Sequence, residues 1–444
     1  MNKEFHKKQN FFSFSDIDSA RKDRIMKFTS TEATPAPHVP PGVLRLTGAA
    51  KEDIPMYRIQ TMNKISPVGL NRFPSELYEV GDAVQDPQGI LVRSAKLLDL
   101  EFNPSLLAIA RAGVGVNNIP LDRCAAAGIP VFSTPGANAN AVKELVICAM
   151  LMGSRDIPGA IRWVREQAAS GVDVSTVVEK GKSAFIGPEL YKKTLGIIGL
   201  GAIGSIVANT AISLGMDVYG YDPFLSVDTA LRLDRHVHVV KDINDLYKRS
   251  DYITMHIHYT EKTAHMIDAD AIAAMKRGVR VINLARGEIV DDEVMLTALD
   301  TGMVAAYITD FPNNRLLTAP HVIAMPHLGA STPESEQNCA AMAVDTLRDY
   351  LESGNIRSSV NLPEMTMDRS GVQRLCVLHK NVPGMLANIT SLFGRDGVNV
   401  ENLSNKSRGD YAYTMVDLGS KVGDNVIEDV RRTANVIRVR SLEW

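Results

Sequence analysis

At roughly 150 residues per domain, the 444 residues of the chain predict two to four domains. Hydrophobic residues make up 45% and charged residues 22%, the proportions of a globular protein with enough apolar material for sizeable cores. Lys plus Arg number 48 against 51 Asp plus Glu, a net charge of −3; this excludes a generic polyanion binder and gives no footing for a nucleic-acid partner.

In chain order, residues 1–51 show no clean periodicity and cluster Pro35, Pro37, Pro40 and Pro41, so a flexible N-terminal extension is expected. No apolar stretch followed by a small-residue cleavage site is present, and Glu4, Asp16, Asp18 and Asp23 speak against a transit peptide. From about Tyr57 short apolar strands are predicted at 79–80, 89–92, 107–110 and 129–132, with helical spacing between them. A denser alternation starts near Thr194. It predicts strands at 195–198, 217–221, 252–255, 279–284, 305–309 and 322–325, and a helix over 202–214. Strands separated by helix-length segments mean parallel βαβ units. The charge-free run 194–216 is long enough to cross a bilayer, but it carries five glycines with another explanation, so no membrane span is predicted.

Ser331-Thr332-Pro333-Glu334 has capping-box spacing and opens a helix with Ala340, Val344, Leu347 and Leu351 on one face. The segment Asn355 to Ser370 is polar and breaker-rich and reads as a linker, with 361–371 separating the returning segment from the last unit. The order β-α-β-β-α-β over 372–444 predicts a ferredoxin-like split unit. Cys124, Cys148, Cys339 and Cys376 are scattered, without a CxxC pair or a His at ligand spacing. They read as free thiols in a reducing, cytoplasmic compartment, with no metal site.

Gly199-Leu200-Gly201-Ala202-Ile203-Gly204 places G-x-G-x-x-G directly after a predicted strand and at the start of a helix. The first glycine permits the tight turn, the second lets backbone approach a pyrophosphate, and the third lets helix and strand pack closely. Free N–H groups at the helix start then face the anion. The next strand ends at Asp222, eighteen residues beyond Gly204. A carboxylate there accepts ribose hydroxyls and repels a 2′-phosphate, which selects NAD over NADP as cofactor.

Two further strand ends carry chemistry. Asn283-Leu284-Ala285-Arg286-Gly287 presents an Arg able to clamp a carboxylate and polarise the adjacent carbonyl. Pro326-His327-Leu328-Gly329 presents a His that titrates in the range needed to take an alcohol proton. In open α/β sheets ligands bind beyond the carboxyl ends of strands, where both residues are expected.

The stretch from about 57 to 444 resembles the D-isomer-specific 2-hydroxyacid dehydrogenase family. The resemblance is carried by Val92-Arg93-Ser94, Arg111-Ala112-Gly113-Val114-Gly115-Val116-Asn117-Asn118-Ile119 and Thr134-Pro135-Gly136-Ala137-Asn138, together with the glycine turn and the Arg286 and His327 segments. It implies two Rossmann-like doubly wound domains, the substrate domain discontinuous (52–148 plus 329–360), with an NAD-binding domain inserted (149–328). It also implies catalysis by His327 as acid/base and Arg286 as substrate clamp. Arg93, Ser94, Arg111, Gly113 and Asn138 would meet the substrate, and Gly199, Gly201, Ala202, Ile203, Gly204, Asp222, Ala285, Asp310, His327 and Gly329 the cofactor. The implied reaction is oxidation of 3-phospho-D-glycerate to 3-phosphohydroxypyruvate on the way to L-serine, by a homo-oligomer, dimer or tetramer. Other D-2-hydroxyacids, or a non-catalytic NAD-sensing role, are the alternatives.

One segment departs from the family pattern. Where a glutamate usually partners the catalytic His, Ile308-Thr309-Asp310-Phe311-Pro312-Asn313-Asn314 carries Asn314. Asn orients imidazole but does not stabilise imidazolium by charge. Asp310 is then expected either to supply the carboxylate or to meet the nicotinamide amide. The unit at 372–444 resembles the ACT domain, an amino-acid-sensing module. The resemblance implies that His379, Asn381 and Asn399 grip L-serine at a domain–domain interface.

Overall fold

The computed structural model describes residues 56–444, and the predicted N-terminal extension lies outside the described residues. Strands β1 (Tyr57–Met62), β2 (Tyr78–Gly81), β3 (Gly89–Val92), β4 (Ala108–Arg111) and β5 (Val131–Phe132) form a parallel sheet in the order β2-β1-β3-β4-β5. All four residues of β3 are buried, as a parallel strand covered on both faces requires.

Helix α1 (Ala139–Arg155) leaves this first lobe and packs Val142, Val146, Ala149 and Met150 into the core of the second. The expected domain boundary at 148/149 therefore falls inside a helix. Two amphipathic helices, α2 (Ile157–Ala169) and α3 (Val174–Gly181), follow without a single buried residue.

The second lobe holds β6 (Thr194–Ile198), α4 (Ala202–Ser213), β7 (Asp217–Tyr221), β8 (Val237–Val240), β9 (Tyr252–Met255), β10 (Val279–Asn283), β11 (Val304–Thr309) and β12 (Val322–Ala324). Its parallel sheet runs β12-β11-β10-β9-β6-β7-β8. Strand order reverses at β6, so the crevice between the carboxyl ends of β6 and β9 is the switch point where dinucleotides bind.

The chain returns to the first lobe through α5 (Pro333–Ser353), capped by the Thr332 hydroxyl accepting from Ser335 N–H and ended by Gly354 at φ 76°. Ala340, Ala343, Val344, Leu347 and Leu351 of α5 are buried against the first sheet. Beyond it, β13 (Gln373–Lys380), α6 (Met385–Arg395), β14 (Val400–Arg408), β15 (Tyr411–Leu418), α7 (Asp424–Arg432) and β16 (Val436–Glu443) build an antiparallel sheet in the order β14-β15-β13-β16.

Strands β13 and β15 of this third sheet are buried on both faces. Leu375, Val377, Val416 and Val439 pack under α6 and α7, whereas Cys376, Leu378, Tyr413, Met415 and Leu442 join the core of the first lobe. The expected linker takes part in that core. Ile356, Leu362, Met365 and Met367 are buried, and Ile356 and Met365 form a β-bridge. Breaker residues mask these apolar positions in the sequence. Arg374 and Asp417, both fully buried, pair at 2.6 and 2.7 Å. Arg374 also donates to the Ser353, Met367 and Asp368 carbonyls, so the ion pair joins the module to the end of α5. No helix among the described residues is long and apolar enough to cross a membrane, and none of their His, Cys, Asp and Glu residues gather in threes to hold a metal.

Candidate active site

The glycine turn after β6 adopts the geometry a pyrophosphate needs. Gly199 has φ 90°, and its N–H donates to Tyr221 O at 2.8 Å. A Cβ on Gly204 would stand 1.9 Å from Gly199 O, so only glycine lets α4 approach the strand. A Cβ on Gly201 would meet nothing within 4 Å. The N-terminus of α4 at Ala202 and Ile203 carries no side-chain cap. Open space in front of free N–H groups fits an anion. Asp222 is tied to this turn, accepting from Leu200 N–H and Phe224 N–H at 2.9 Å each.

His256, at the end of β9, packs its backbone against Gly199. Burial pushes its pKa down to about 4, so the ring is uncharged at neutral pH. Sequence reasoning missed it because no local motif marks it.

Across the crevice, Asn283 ends β10 and folds the following turn. Its amide donates to Arg286 O at 2.8 Å and its carbonyl accepts from Ala285 N–H at 3.2 Å. Arg286 of the second lobe and Arg111 of the first then converge. Arg286 Nη2 lies 3.5 Å, and Arg111 Nη1 3.6 Å, from the point where a Gly115 Cβ would stand. A Cβ on Gly113 would come within 2.8 Å of Arg111 Nη1, so Gly113 leaves room for that guanidinium. Burial lowers the Arg111 pKa, and repulsion from Arg286 and Arg93 adds to this.

Arg111 Nε donates to Arg93 O at 2.9 Å, and the Arg93 side chain pairs with Glu336 on α5. The Ser94 loop is held by Asn63, whose Oδ1 accepts from Ser94 N–H and Ala95 N–H. Asn138 stands at the head of α1 without capping it. Its loop abuts the glycine turn, since a Cβ on Gly136 would lie 3.3 Å from Ala202 Cβ.

His327 follows β12 and is exposed. Its ring meets Phe311 with centroids 4.7 Å apart, and the Arg286 guanidinium lies 5.8 Å from the same Phe311 ring. Asp310 is 1% exposed, and neither carboxylate oxygen has a hydrogen-bond partner among the described residues. Burial raises its pKa; the nearby charge of His327 opposes that shift most, with Arg286 adding to it. Gly329 closes over the carboxylate, its Cβ position 3.8 Å from Asp310 Oδ2. The adjoining asparagine is otherwise engaged: Asn313 accepts from Arg315 N–H and Leu316 N–H. Among the described residues Asn314 makes no hydrogen bond to His327. Asp310 lies within the electrostatic reach of His327 without a hydrogen bond between them.

The three module residues do not come together within one chain. His379 is 2% exposed, with Nδ1 2.8 Å from Lys380 O and Nε2 2.8 Å from Thr414 Oγ1, so its ring is not free to grip a ligand in this arrangement. Asn381 is exposed and donates to Gly409 O. Asn399 donates to Glu401. His379 pairs with Ala412 and Val400 with Leu418, which puts His379 and Asn399 at opposite ends of β15, about 20 Å apart at ~3.4 Å per residue. The motif shows the residue types but not the register that separates them.

The seven-stranded sheet, its glycine turn and the two-lobed crevice define a dinucleotide-binding protein with a cationic substrate cleft. Residues 147–329 match the "D-isomer specific 2-hydroxyacid dehydrogenase, NAD binding domain" family. The chain is 31% identical over 380 residues to the D-3-phosphoglycerate dehydrogenase of Escherichia coli, covering 82% of this chain and 89% of that protein. It is 35% identical over 326 residues to the D-3-phosphoglycerate dehydrogenase of Synechocystis sp., covering 71% of this chain but 56% of that relative, so it spans little more than half of the latter's length. Among solved structures, the NAD+-bound 3-phosphoglycerate dehydrogenase of Entamoeba histolytica superposes with a TM-score of 0.54 at 26% identity, over 69% of this chain and 99% of that one. The chain belongs to the D-isomer-specific 2-hydroxyacid dehydrogenase family.

Proposed function

We propose that the protein is an NAD-dependent oxidoreductase that converts 3-phospho-D-glycerate to 3-phosphohydroxypyruvate, supplying L-serine formation. The reading rests above all on the convergence of Arg111 and Arg286, the latter sharing the Phe311 ring with His327, with Arg93 one hydrogen bond away, and the names of the relatives agree with it. Three guanidinium groups suit a small acid that carries both a carboxylate and a phosphate.

NAD, when bound, supplies the hydride acceptor. The open Gly201, the uncapped start of α4 and the tethered Asp222 would hold it, and the Asp222 carboxylate disfavours a 2′-phosphate. Arg286 and Arg111 take the substrate carboxylate across Gly115 and fix the alcohol carbon. His327 takes the hydroxyl proton as the C2–H bond breaks, so the carbonyl forms without a free alkoxide. Positive charge gained by the imidazole faces Asp310, the neighbouring carboxylate. Phe311 holds the imidazole and the Arg286 guanidinium on one ring.

Helices α2 and α3 cannot be stable as an isolated pair with no buried residue. They surround an apolar groove of about 650 Å³ lined by Ile157, Ile161, Trp163, Val164, Val178 and Phe185. A second copy of the chain covers it, giving a homo-oligomer. L-serine is the proposed effector. Antiparallel pairing of two β14 edges would bring the Asn399 end of one copy to the Asn381 end of the other, so the effector site needs two chains. The four free cysteines support a reducing compartment, the cytoplasm, as its location.

The test is appearance of NADH when purified protein meets NAD and 3-phospho-D-glycerate, with D-glycerate as comparison. Turnover that strongly favours the phosphorylated acid is expected. No NADH with either acid overturns the reading.

A further inference from the structure

We propose that Glu336 is a gate on the phosphate subsite that competes with the distal phosphate for Arg93 and so tempers the preference for phosphorylated acids. It holds Arg93 while the cleft is empty and yields it to a phosphate dianion, but not to an uncharged hydroxyl. This inference rests on the hydroxyacid reading above.

Of the three guanidinium groups in the cleft, Arg111 donates to a backbone carbonyl of Arg93 and Arg286 to that of Ala285. Neither has a carboxylate partner among the described residues. Arg93 differs, because its Nη2 sits 2.5 Å from Glu336 Oε1. The unpartnered pair over Gly115 is thus ready for the carboxylate common to every 2-hydroxyacid. Arg93, one hydrogen bond further along, falls to the distal group that distinguishes one acid from another.

The Arg93–Glu336 pair is built to open. Both side chains are 43% exposed, and an exposed ion pair contributes little. Glu336 lies in the first turn of α5, where the helix N-terminus offsets its charge once Arg93 departs. A phosphate dianion brings more charge and more acceptor oxygens than one carboxylate, so it wins the guanidinium. A distal hydroxyl brings neither and leaves the pair closed.

The test uses NAD-loaded full-length protein and calorimetric binding of 3-phosphooxypropanoate and 3-hydroxypropanoate, acids that differ in the distal group and lack the C2 hydroxyl that would be oxidised. Wild type is expected to prefer the phosphorylated acid. In Glu336→Gln the ratio of the two affinities should rise by about threefold or more, the size of one exposed ion pair. Glu336→Asp, which keeps the charge, should stay nearer to wild type. An unchanged ratio in Glu336→Gln, or equal shifts for both acids, overturns the gate. If wild type binds both acids yet never oxidises 3-phospho-D-glycerate, the substrate reading fails while the affinity ratio still decides the role of Glu336.

Discussion

Phe311 and His327 meet ring to ring, centroids 4.7 Å apart and planes tilted by 47°. Because the Arg286 guanidinium sits over the same phenyl ring, one side chain sets the spacing between the proposed proton acceptor and the proposed carboxylate clamp. Phe311→Leu keeps the apolar volume and removes the ring contacts. Such contacts contribute about 0.5–1.5 kcal/mol each, so kcat/KM should fall by roughly tenfold with NAD affinity unchanged. Steady-state kinetics check this, and an unaltered kcat/KM would remove Phe311 from the site.

Asp310 carries a stability signature of its own. Its carboxyl is raised above the ordinary value by burial. The protonated form is therefore the comfortable one. Stability is full below the unfolded value, about pH 4, falls as pH rises through the window up to the raised folded value, and stays lower above it. Asp310→Asn removes the charge while preserving shape. It should melt higher than wild type at neutral pH, match it near pH 3, and lose kcat by roughly 10²-fold. Thermal scans across pH and initial rates test both halves; a variant that melts lower at neutral pH with full activity would contradict the assignment.

The two glycines of the turn predict opposite phenotypes. Gly204→Ala forces a Cβ against Gly199 O and should lower stability and NAD binding together. Gly201→Ala adds a methyl to open space, so the fold should persist while the NAD dissociation constant rises at least tenfold. Equal melting temperatures for the two variants would be inconsistent with this geometry. Asp222→Asn keeps the side chain's shape and one acceptor oxygen, so it retains one of the two backbone bonds and loses the charge, and it should narrow the preference for NAD over NADP by roughly tenfold.

Arg374, paired with buried Asp417 inside the third sheet, donates to the Ser353, Met367 and Asp368 carbonyls and so ties that sheet to the end of α5. Asp417→Asn leaves a guanidinium without its counter-charge and should cost about 3–5 kcal/mol, seen as one cooperative urea transition moved to lower denaturant. Deleting 372–444 bares Tyr350, Leu351 and Phe132 of the shared core, and the remainder should aggregate. A soluble, active truncation would show that the module is dispensable.

Much of this architecture is written in local pattern. Apolar runs at 89–92, 195–198 and 252–255 become central strands because parallel strands need no alternation. Gly199, Gly201 and Gly204 each have a distinct steric reason that spacing alone conveys. Arg286 and His327 are legible because they close predicted strands. What local pattern does not convey is pairing over long distances. Glu336 reaches Arg93 across 243 positions, and Asn63 anchors the Ser94 loop across 31. The linker hides Ile356 and Met365 among breakers. His379 looks like an exposed turn residue until β15 and Thr414 cover it.

Hydride transfer within this cleft is the central claim, and following the label in 3-phospho-D-glycerate deuterated at C2 tests it most directly. The account predicts one deuterium in the reduced nicotinamide by mass spectrometry. It also predicts that His327→Asn slows turnover strongly without diverting the label. Deuterium released to water, or a His327→Asn variant that works at the wild-type rate, would contradict it.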